Sequence, residues 1–206
     1  KREVKAYRWG DDPRHVDYGA VYNSRLKLLA KAKKRGWERD REEVTAFVAE
    51  NARWLPDYAL FMACKRHFGM RSWTEWEDED IRLRRSPEVL EQYRTLLRED
   101  VELFTYIQYL FFRQWEALRT YLHERDIHVI GDLPIYVAMD SADVWAEPEN
   151  FQLDDRCVPT EVSGVPPDYF SADGQLWGNP LYRWDRMQAD GFGWWIRRID
   201  GAGKLY

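Results

Sequence analysis

The sequence contains few of the residues that bind metals or form disulfides. It has only two cysteines, Cys64 and Cys157, and its four histidines show no metal-ligand spacing, so no metal site is predicted. Cys64 lies in an apolar helical pattern, which favours a small buried side chain. Two distant cysteines fit a reduced, cytoplasmic setting better than a disulfide-linked one.

Charge and hydropathy exclude further classes of partner. The net charge is −5, whereas a nucleic-acid-binding protein needs a basic surface. No apolar run approaches the roughly 20 residues that cross a membrane, and no signal peptide is recognisable. Serine-nucleophile chemistry is disfavoured because no Gly-x-Ser-x-Gly motif occurs. We therefore expect a soluble, globular chain without a nucleic-acid or membrane partner.

Aromatic residues, in contrast, are abundant. They make up 16% of the 206 residues and include 11 tryptophans, which can fill a core or stack on sugar rings. Many fall in a first half with helical periodicity. Apolar spacing predicts helices over about 18–35, 39–54 and 55–69, then a long pattern from Ser86 to Glu124 that is either one helix or broken near Asp100.

The character of the sequence changes after Asp126. The short apolar run 127–130 contains β-branched residues and directly follows a helix, which predicts a buried parallel strand. Asp132 stands where this strand would end, the position at which α/β barrels build their active sites. No long periodic segment follows from 138 to 190, so an irregular, functional loop is expected there.

Within that loop, the stretch SGVPPDYFSADGQLWGNPLY combines glycine turns, a Pro-Pro pair and several aromatic residues. It is too polar and too broken for a predicted strand or helix, yet too aromatic for an idle loop. Carboxylates beside tryptophans in a loop-rich cleft suit glycoside chemistry, in which one acid protonates the leaving oxygen and another attacks or stabilises the anomeric carbon. Spacing alone selects no catalytic pair among the acidic residues from Asp132 to Asp190.

Longer motifs resemble a known family. The runs IGDLPIYVAMDSADVWAEPENFQLDD and PTEVSGVPPDYFSADGQLWGNPLYRWDRMQADGFGWWIRRI look like the 4-α-glucanotransferases, the amylomaltase or disproportionating-enzyme family. Earlier runs resemble the same family in the same order: VDYGAVYNSRLKLL, LPDYALFMACKRHFG, SWTEWEDEDIRLR and YIQYLFFRQWEALR. The resemblance covers almost the whole chain.

The resemblance implies an α/β fold that is part of a (β/α)8 TIM-type barrel. A mainly helical inserted subdomain is expected over 1–118, and a barrel segment over 119–206 that carries the irregular loop subdomain, about 138–190. The implied reaction transfers α-1,4-glucan segments between maltooligosaccharides by a retaining double displacement, without a cofactor.

The family's nucleophile motif, Arg-Ile-Asp-His-Phe-Arg-Gly, is expected just beyond Tyr206, and the acid/base glutamate further on. Asp200 follows Arg-Ile but lacks the rest of that motif. The 206-residue chain alone is therefore expected to be inactive. A truncated barrel also exposes strand edges, so self-association of this chain is expected.

Several positions match the family's functional positions. Asp132 is the expected catalytic-site residue, which shapes the donor subsite. The expected substrate-binding residues are Asp140, Ser141, Tyr169, Phe170, Trp177 and Asn179. Tyr169 and Phe170 fall in a loop that resembles the family's lid over the acceptor side, and Trp177 and Asn179 flank the glucan near the cleavage point.

Structural roles remain open for some of these residues. Trp177 could pin the loop to the barrel, Tyr169 and Phe170 could form a small core within the loop, and Asp132 could be a buried structural carboxylate. Two other functions also remain open for the whole chain. One is an α-glucan hydrolase of the same clan, and the other is a non-catalytic helical or carbohydrate-binding module.

Overall fold

The computed structural model describes residues 2–7, 9–12 and 14–206. The α-helices of these residues are α1 (Arg2–Lys5), α2 (Tyr18–Gly36), α3 (Arg41–Glu50), α4 (Leu55–His67), α5 (Glu79–Arg82), α6 (Pro87–Leu96), α7 (Arg98–His123), α8 (Ala142–Ala146), α9 (Trp184–Ala189) and α10 (Gly193–Leu205). Short 3-10 helices lie at Trp73–Glu75 and Pro148–Asn150. Strands β1 (Val162–Val165) and β2 (Gln175–Pro180) form an antiparallel hairpin.

Helix boundaries in the first half follow local sequence signals. At the start of α2, the carboxylate of Asp17 accepts a hydrogen bond of 2.9 Å from the backbone N–H of Ala20. The hydroxyl oxygen of Ser86 caps α6 in the same way, and Pro87 occupies the first turn of that helix. Helix α2 ends at Gly36, the residue predicted to stop it.

The long helical pattern after Ser86 is divided into α6 and α7. Leu97 separates the two helices with φ −105° and ψ 22°, and its buried side chain enters the core. The predicted alternative of a break near Asp100 is therefore confirmed. The run 101–118 of α7 is apolar on more than one face, which predicts burial, and this holds only for its first half: residues such as Leu103 and Tyr109 are buried, whereas Phe111 and Leu118 are 50% and 44% exposed.

The larger hydrophobic core contains residues from both halves of the chain. Trp145, which is 1% exposed, packs with its ring centroid 5.8 Å from that of Phe61 and 5.7 Å from that of Trp76. Trp194 and the fully buried Cys64 belong to the same core, and the predicted burial of Cys64 is thereby confirmed. This core includes residues on both sides of position 118, so the division into subdomains stays a prediction.

The run predicted to be a buried parallel strand is not a strand. Residues 127–134 lack regular secondary structure, and Ile130 is 96% exposed. A parallel strand forms only where a neighbouring strand receives its backbone hydrogen bonds. Within the described residues the β1–β2 hairpin is the only sheet, so the run has no strand to pair with.

The stretch 163–182 was predicted to be too broken for a strand, and this prediction is wrong. Gly164 pairs with Leu176 and Val165 pairs with Gln175 in the antiparallel hairpin. Gly174 has φ +73°, and a Cβ atom there would lie 2.5 Å from the carbonyl oxygen of Val165. The turn between β1 and β2 therefore requires glycine at this position.

Candidate functional site

Residues 132–140, here called the anchored segment, follow the unpaired run. In the described structure, no backbone-to-backbone hydrogen bond involves residues 128–140. Side chains instead donate to carbonyl oxygens of the segment: Arg198 to Pro134 (3.0 Å), Tyr182 to Ile135 (2.8 Å), Asn179 to Val137 (2.9 Å) and Trp73 to Met139 (2.7 Å). The course of the segment is thus set by tertiary contacts with distant parts of the chain.

Asp132 begins the anchored segment and is exposed to solvent. It lines a groove of about 840 Å³, together with Trp54, Phe111, Arg198 and other residues. No described residue forms a hydrogen bond or ion pair with the Asp132 carboxylate. Its exposure makes the alternative of a buried structural carboxylate wrong, and the carboxylate remains available to a ligand.

Asp140 and Ser141, at the other end of the segment, are engaged within the protein. The Asp140 carboxylate accepts a hydrogen bond of 3.2 Å from the backbone N–H of Trp73. It also forms an ion pair with Nζ of Lys65, whose side chain is buried. The Ser141 hydroxyl oxygen accepts a bond of 3.3 Å from the N–H of Val144 and caps α8. A substrate contact by either residue stays a prediction.

Tyr169 and Phe170 lie in the turn of the hairpin and point into solvent. They are 97% and 89% exposed, and their rings meet edge to face at a centroid distance of 5.6 Å. The Asp168 carboxylate accepts bonds from the backbone N–H of Phe170 (2.9 Å) and of Ser171 (2.8 Å), which fixes the turn. The alternative in which the two rings form a small core within the loop is therefore wrong.

Trp177 and Asn179 dock β2 of the hairpin on the anchored segment. The ring of Trp177 meets that of Tyr136 at 6.1 Å and 68°, yet 49% of the Trp177 surface stays exposed. The Asn179 amide donates to the carbonyl oxygen of Val137, and its own oxygen accepts from the hydroxyl of Ser163 across the hairpin at 3.4 Å. One edge of the Trp177 ring thus contacts the anchored segment, and the exposed part of the indole remains available for stacking.

The structure places Asp132 in the groove, which no described residue of the hairpin lines, and it places Trp177 and Asn179 against Tyr136 and Val137 further along the anchored segment. Asp132, Trp177 and Asn179 lie on the anchored segment or on the strand docked against it. Tyr169 and Phe170 lie at the remote end of the same hairpin. Sequence reasoning missed three anchors, Trp73, Tyr182 and Arg198, whose bonds span 66, 47 and 64 positions. Such distant pairs leave no local motif to detect.

Four more carboxyl groups line the groove with Asp132, those of Glu50, Asp143, Glu147 and Asp200. Asp143 lies 3.9 Å from the Arg198 guanidinium, which also sits 5.1 Å from the ring centroid of Trp194. Desolvation by the surrounding protein raises the pKa of the Asp143 carboxyl and the positive charge of Arg198 opposes this rise, while 45% of the Asp143 side chain stays exposed. Glu147 and Asp200 form ion pairs with Arg197 and Lys204, whereas Asp132 and Glu50 have no partner among the described residues.

The described residues contain neither a metal-ligating cluster nor a membrane-spanning helix. No cluster of three or more His, Cys, Asp or Glu side chains among them could hold a metal ion. No helix in this part of the chain is both long and apolar enough to cross a bilayer.

A comparison with protein families decides where the chain belongs. A family model described as 4-alpha-glucanotransferase matches residues 1–206. The chain belongs to the 4-alpha-glucanotransferase family. The resemblance seen in the motifs is thus confirmed along the whole sequence of this family member.

Individual relatives agree with this assignment. The chain is 42% identical over 207 residues to the 4-alpha-glucanotransferase of Clostridium butyricum, covering 100% of this chain and 42% of the relative. It is 46% identical over 196 residues to that of Thermus thermophilus, covering 93% of this chain and 39% of the relative.

A solved structure is similar as well. The amylomaltase from Streptococcus agalactiae in complex with acarbose matches with a TM-score of 0.95 and 42% sequence identity. The match covers 100% of this chain and 42% of the amylomaltase chain. The sequence therefore spans about two fifths of the length of these glucanotransferases.

Proposed function

We propose that the full-length gene product is a 4-alpha-glucanotransferase that transfers α-1,4-glucan segments between maltooligosaccharides. The family match over residues 1–206 carries this proposal. The geometry supports it, because an exposed carboxylate at Asp132 lies on the segment that receives the hairpin of Trp177. The amylomaltase relative holds acarbose, and we extend that class of saccharide-like ligand to this chain.

In this proposal the 206 residues hold the glucan, while the nucleophile and the acid/base glutamate belong to a later part of the protein. Asp132 accepts hydrogen bonds from sugar hydroxyl groups. The rings of Trp177, Tyr169 and Phe170 offer apolar faces to the sugar rings. The 206-residue chain alone binds glucan weakly and turns none over, because catalytic groups that act as a unit cannot be removed without a large loss of rate.

The proposal also includes the (β/α)8 barrel that the family resemblance implies. Residues 127–130 become a strand of the (β/α)8 barrel once neighbouring strands of a longer chain pair with them. The exposed Ile130 supports this assignment, since a β-branched side chain in a buried strand is normally covered. Without those neighbouring strands the 206-residue chain self-associates.

The proposed location of the full-length protein is the cytoplasm.

An α-glucan hydrolase is the second candidate, because it uses the same residues. The two activities differ in whether a second glucan or water resolves the covalent intermediate. The loop of Tyr169 and Phe170 favours the transferase in this proposal, since it resembles the family's lid over the acceptor side and such a lid keeps water from the covalent intermediate.

Product analysis tests the proposal. The full-length gene product is incubated with maltotriose, and the products are separated by size over time. Glucose together with a ladder of longer maltooligosaccharides supports the transferase, and Asp132→Asn should suppress that ladder. Glu42→Gln, which changes an exposed carboxylate on α3 away from the groove and the hairpin, serves as the control and should leave it unchanged. Glucose and maltose without a ladder would support the hydrolase, and unchanged maltotriose would refute both.

A further inference from the structure

Tyr182 occupies a fixed position beside the anchored segment. Its backbone pairs with Phe151 in an isolated antiparallel bridge, and the residue is 1% exposed. Its ring stacks on that of Tyr136 at 6.0 Å and 8°, and packs 5.5 Å from Trp194 and 5.3 Å from Trp195. A ring enclosed on these sides cannot reorient without opening the core around it.

The hydroxyl group of Tyr182 points from this core to the anchored segment. It donates a hydrogen bond of 2.8 Å to the carbonyl oxygen of Ile135. Burial raises the pKa of Tyr182 to about 12, so the hydroxyl keeps its proton and remains a donor at neutral pH. The bond thus connects a rigid ring to the backbone shortly after Asp132.

The anchored segment depends on bonds of this kind because no backbone ladder holds it. The Asp132 carboxylate has no partner among the described residues, so its place is set through the backbone that carries it. The anchors nearest to it are Arg198 on Pro134 and Tyr182 on Ile135. The Tyr182 ring is the stiffer of the two, since an arginine side chain has more rotatable bonds.

We propose that Tyr182 is a positioning residue for Asp132, whose hydroxyl holds the carbonyl of Ile135 and thereby places the Asp132 carboxylate against the bound glucan. This inference rests on the proposed function. Tyr182 does not touch the glucan itself, because the residue is 1% exposed. Its effect on the reaction passes through the backbone of the anchored segment.

Tyr182→Phe in the full-length protein tests the inference, because it removes one hydroxyl group and keeps the ring. The expected result is a kcat for maltotriose disproportionation about tenfold lower, since small misplacements of a reacting group are costly, with KM changed less than about twofold. Tyr93→Phe is the matched control. It removes a hydroxyl bond of 2.7 Å to Asp78 in another part of the protein and should leave kcat unchanged.

A double-mutant cycle separates positioning from a merely structural role. If Tyr182 acts through Asp132, adding Tyr182→Phe to Asp132→Asn should lower kcat by less than about twofold further. A full tenfold loss in the Asp132→Asn background, or an unchanged kcat for Tyr182→Phe alone, would overturn the inference. A wild-type protein that forms no glucan ladder would instead overturn the proposed function. A ladder that Asp132→Asn leaves intact would overturn both the role of Asp132 and this inference.

Discussion

Removal of both rings from the hairpin turn, by Tyr169→Ala with Phe170→Ala, is expected to weaken glucan binding without changing stability. The two residues are 97% and 89% exposed, so the free energy of unfolding should change by less than about 0.5 kcal/mol. Asp168 fixes the turn through backbone N–H groups, which the substitutions leave in place. The affinity for glucan should therefore fall while the free energy of unfolding stays the same.

The size of the affinity loss follows from the area that a sugar ring covers. An aromatic side chain buries about 150–250 Å² when fully enclosed, so a sugar on one face removes about 60 Å² from water. At about 25 cal/mol per Å² this contributes about 1.5 kcal/mol per ring, or about tenfold in Kd. Ordering the glucan opposes part of this gain, so the double variant should bind about 10- to 100-fold more weakly.

The assay is isothermal titration of the full-length protein with maltoheptaose, paired with urea denaturation. Leu176→Ala is the control, because Leu176 is 82% exposed on the same hairpin and neighbouring strand residues point to opposite faces, so it turns away from Trp177. An unchanged affinity in the double variant would refute the reasoning. An equal loss in Leu176→Ala would do so too, because it would show a general effect on the hairpin.

Further predictions concern stability. Trp145→Ala removes a core ring that is 1% exposed and should lower the free energy of unfolding by about 3–5 kcal/mol in urea titration; a loss under about 1 kcal/mol would contradict a core shared by both halves. The Arg39 guanidinium holds the pKa of the Asp40 carboxyl well below its usual range, so the stability this carboxylate contributes is complete above about pH 4 and is lost as the pH falls further. Asp40→Asn should therefore reduce the loss of stability with falling pH below about pH 4. An unchanged dependence of the free energy of unfolding on pH would show that Asp40 is not its cause. Gly174→Ala, at φ +73°, should cost about 1 kcal/mol or more and lower Tm by at least about 2–4 °C in a melting scan, whereas an unchanged Tm would contradict the turn geometry.

Elements governed by local signals are predictable from this sequence. Helix α4 follows its apolar spacing, with Pro56 in its first turn. The end of α2 at Gly36 and the burial of Cys64 follow from the same local reasoning. In each case the residues that decide the structure are close together in the chain.

Elements that need a distant partner are not predictable in this way. The run 127–130 has the composition of a buried strand, but its backbone needs a neighbouring strand that the described residues do not supply. The hairpin was missed because its turn glycines and prolines suggested a broken backbone. Gly174 instead allows the strands to pair.

The candidate site shows the same limit. Its residues were assigned from a family resemblance, since spacing alone selected no carboxylate. The structure then distinguishes Asp132, which has no internal partner, from Asp140, which Lys65 holds in an ion pair. The anchors Asn179 and Tyr182 act across 42 and 47 positions, so only the fold reveals what they hold.

Asp132 and the hairpin are proposed to form one glucan-holding surface. The most direct test of this proposal is a crystal structure of the full-length protein with maltoheptaose bound. In that structure a sugar hydroxyl should lie within about 3.2 Å of the Asp132 carboxylate, and a sugar ring should lie on the exposed face of Trp177. A glucan bound elsewhere, with Asp132 facing only solvent and Trp177 uncovered, would contradict the proposal.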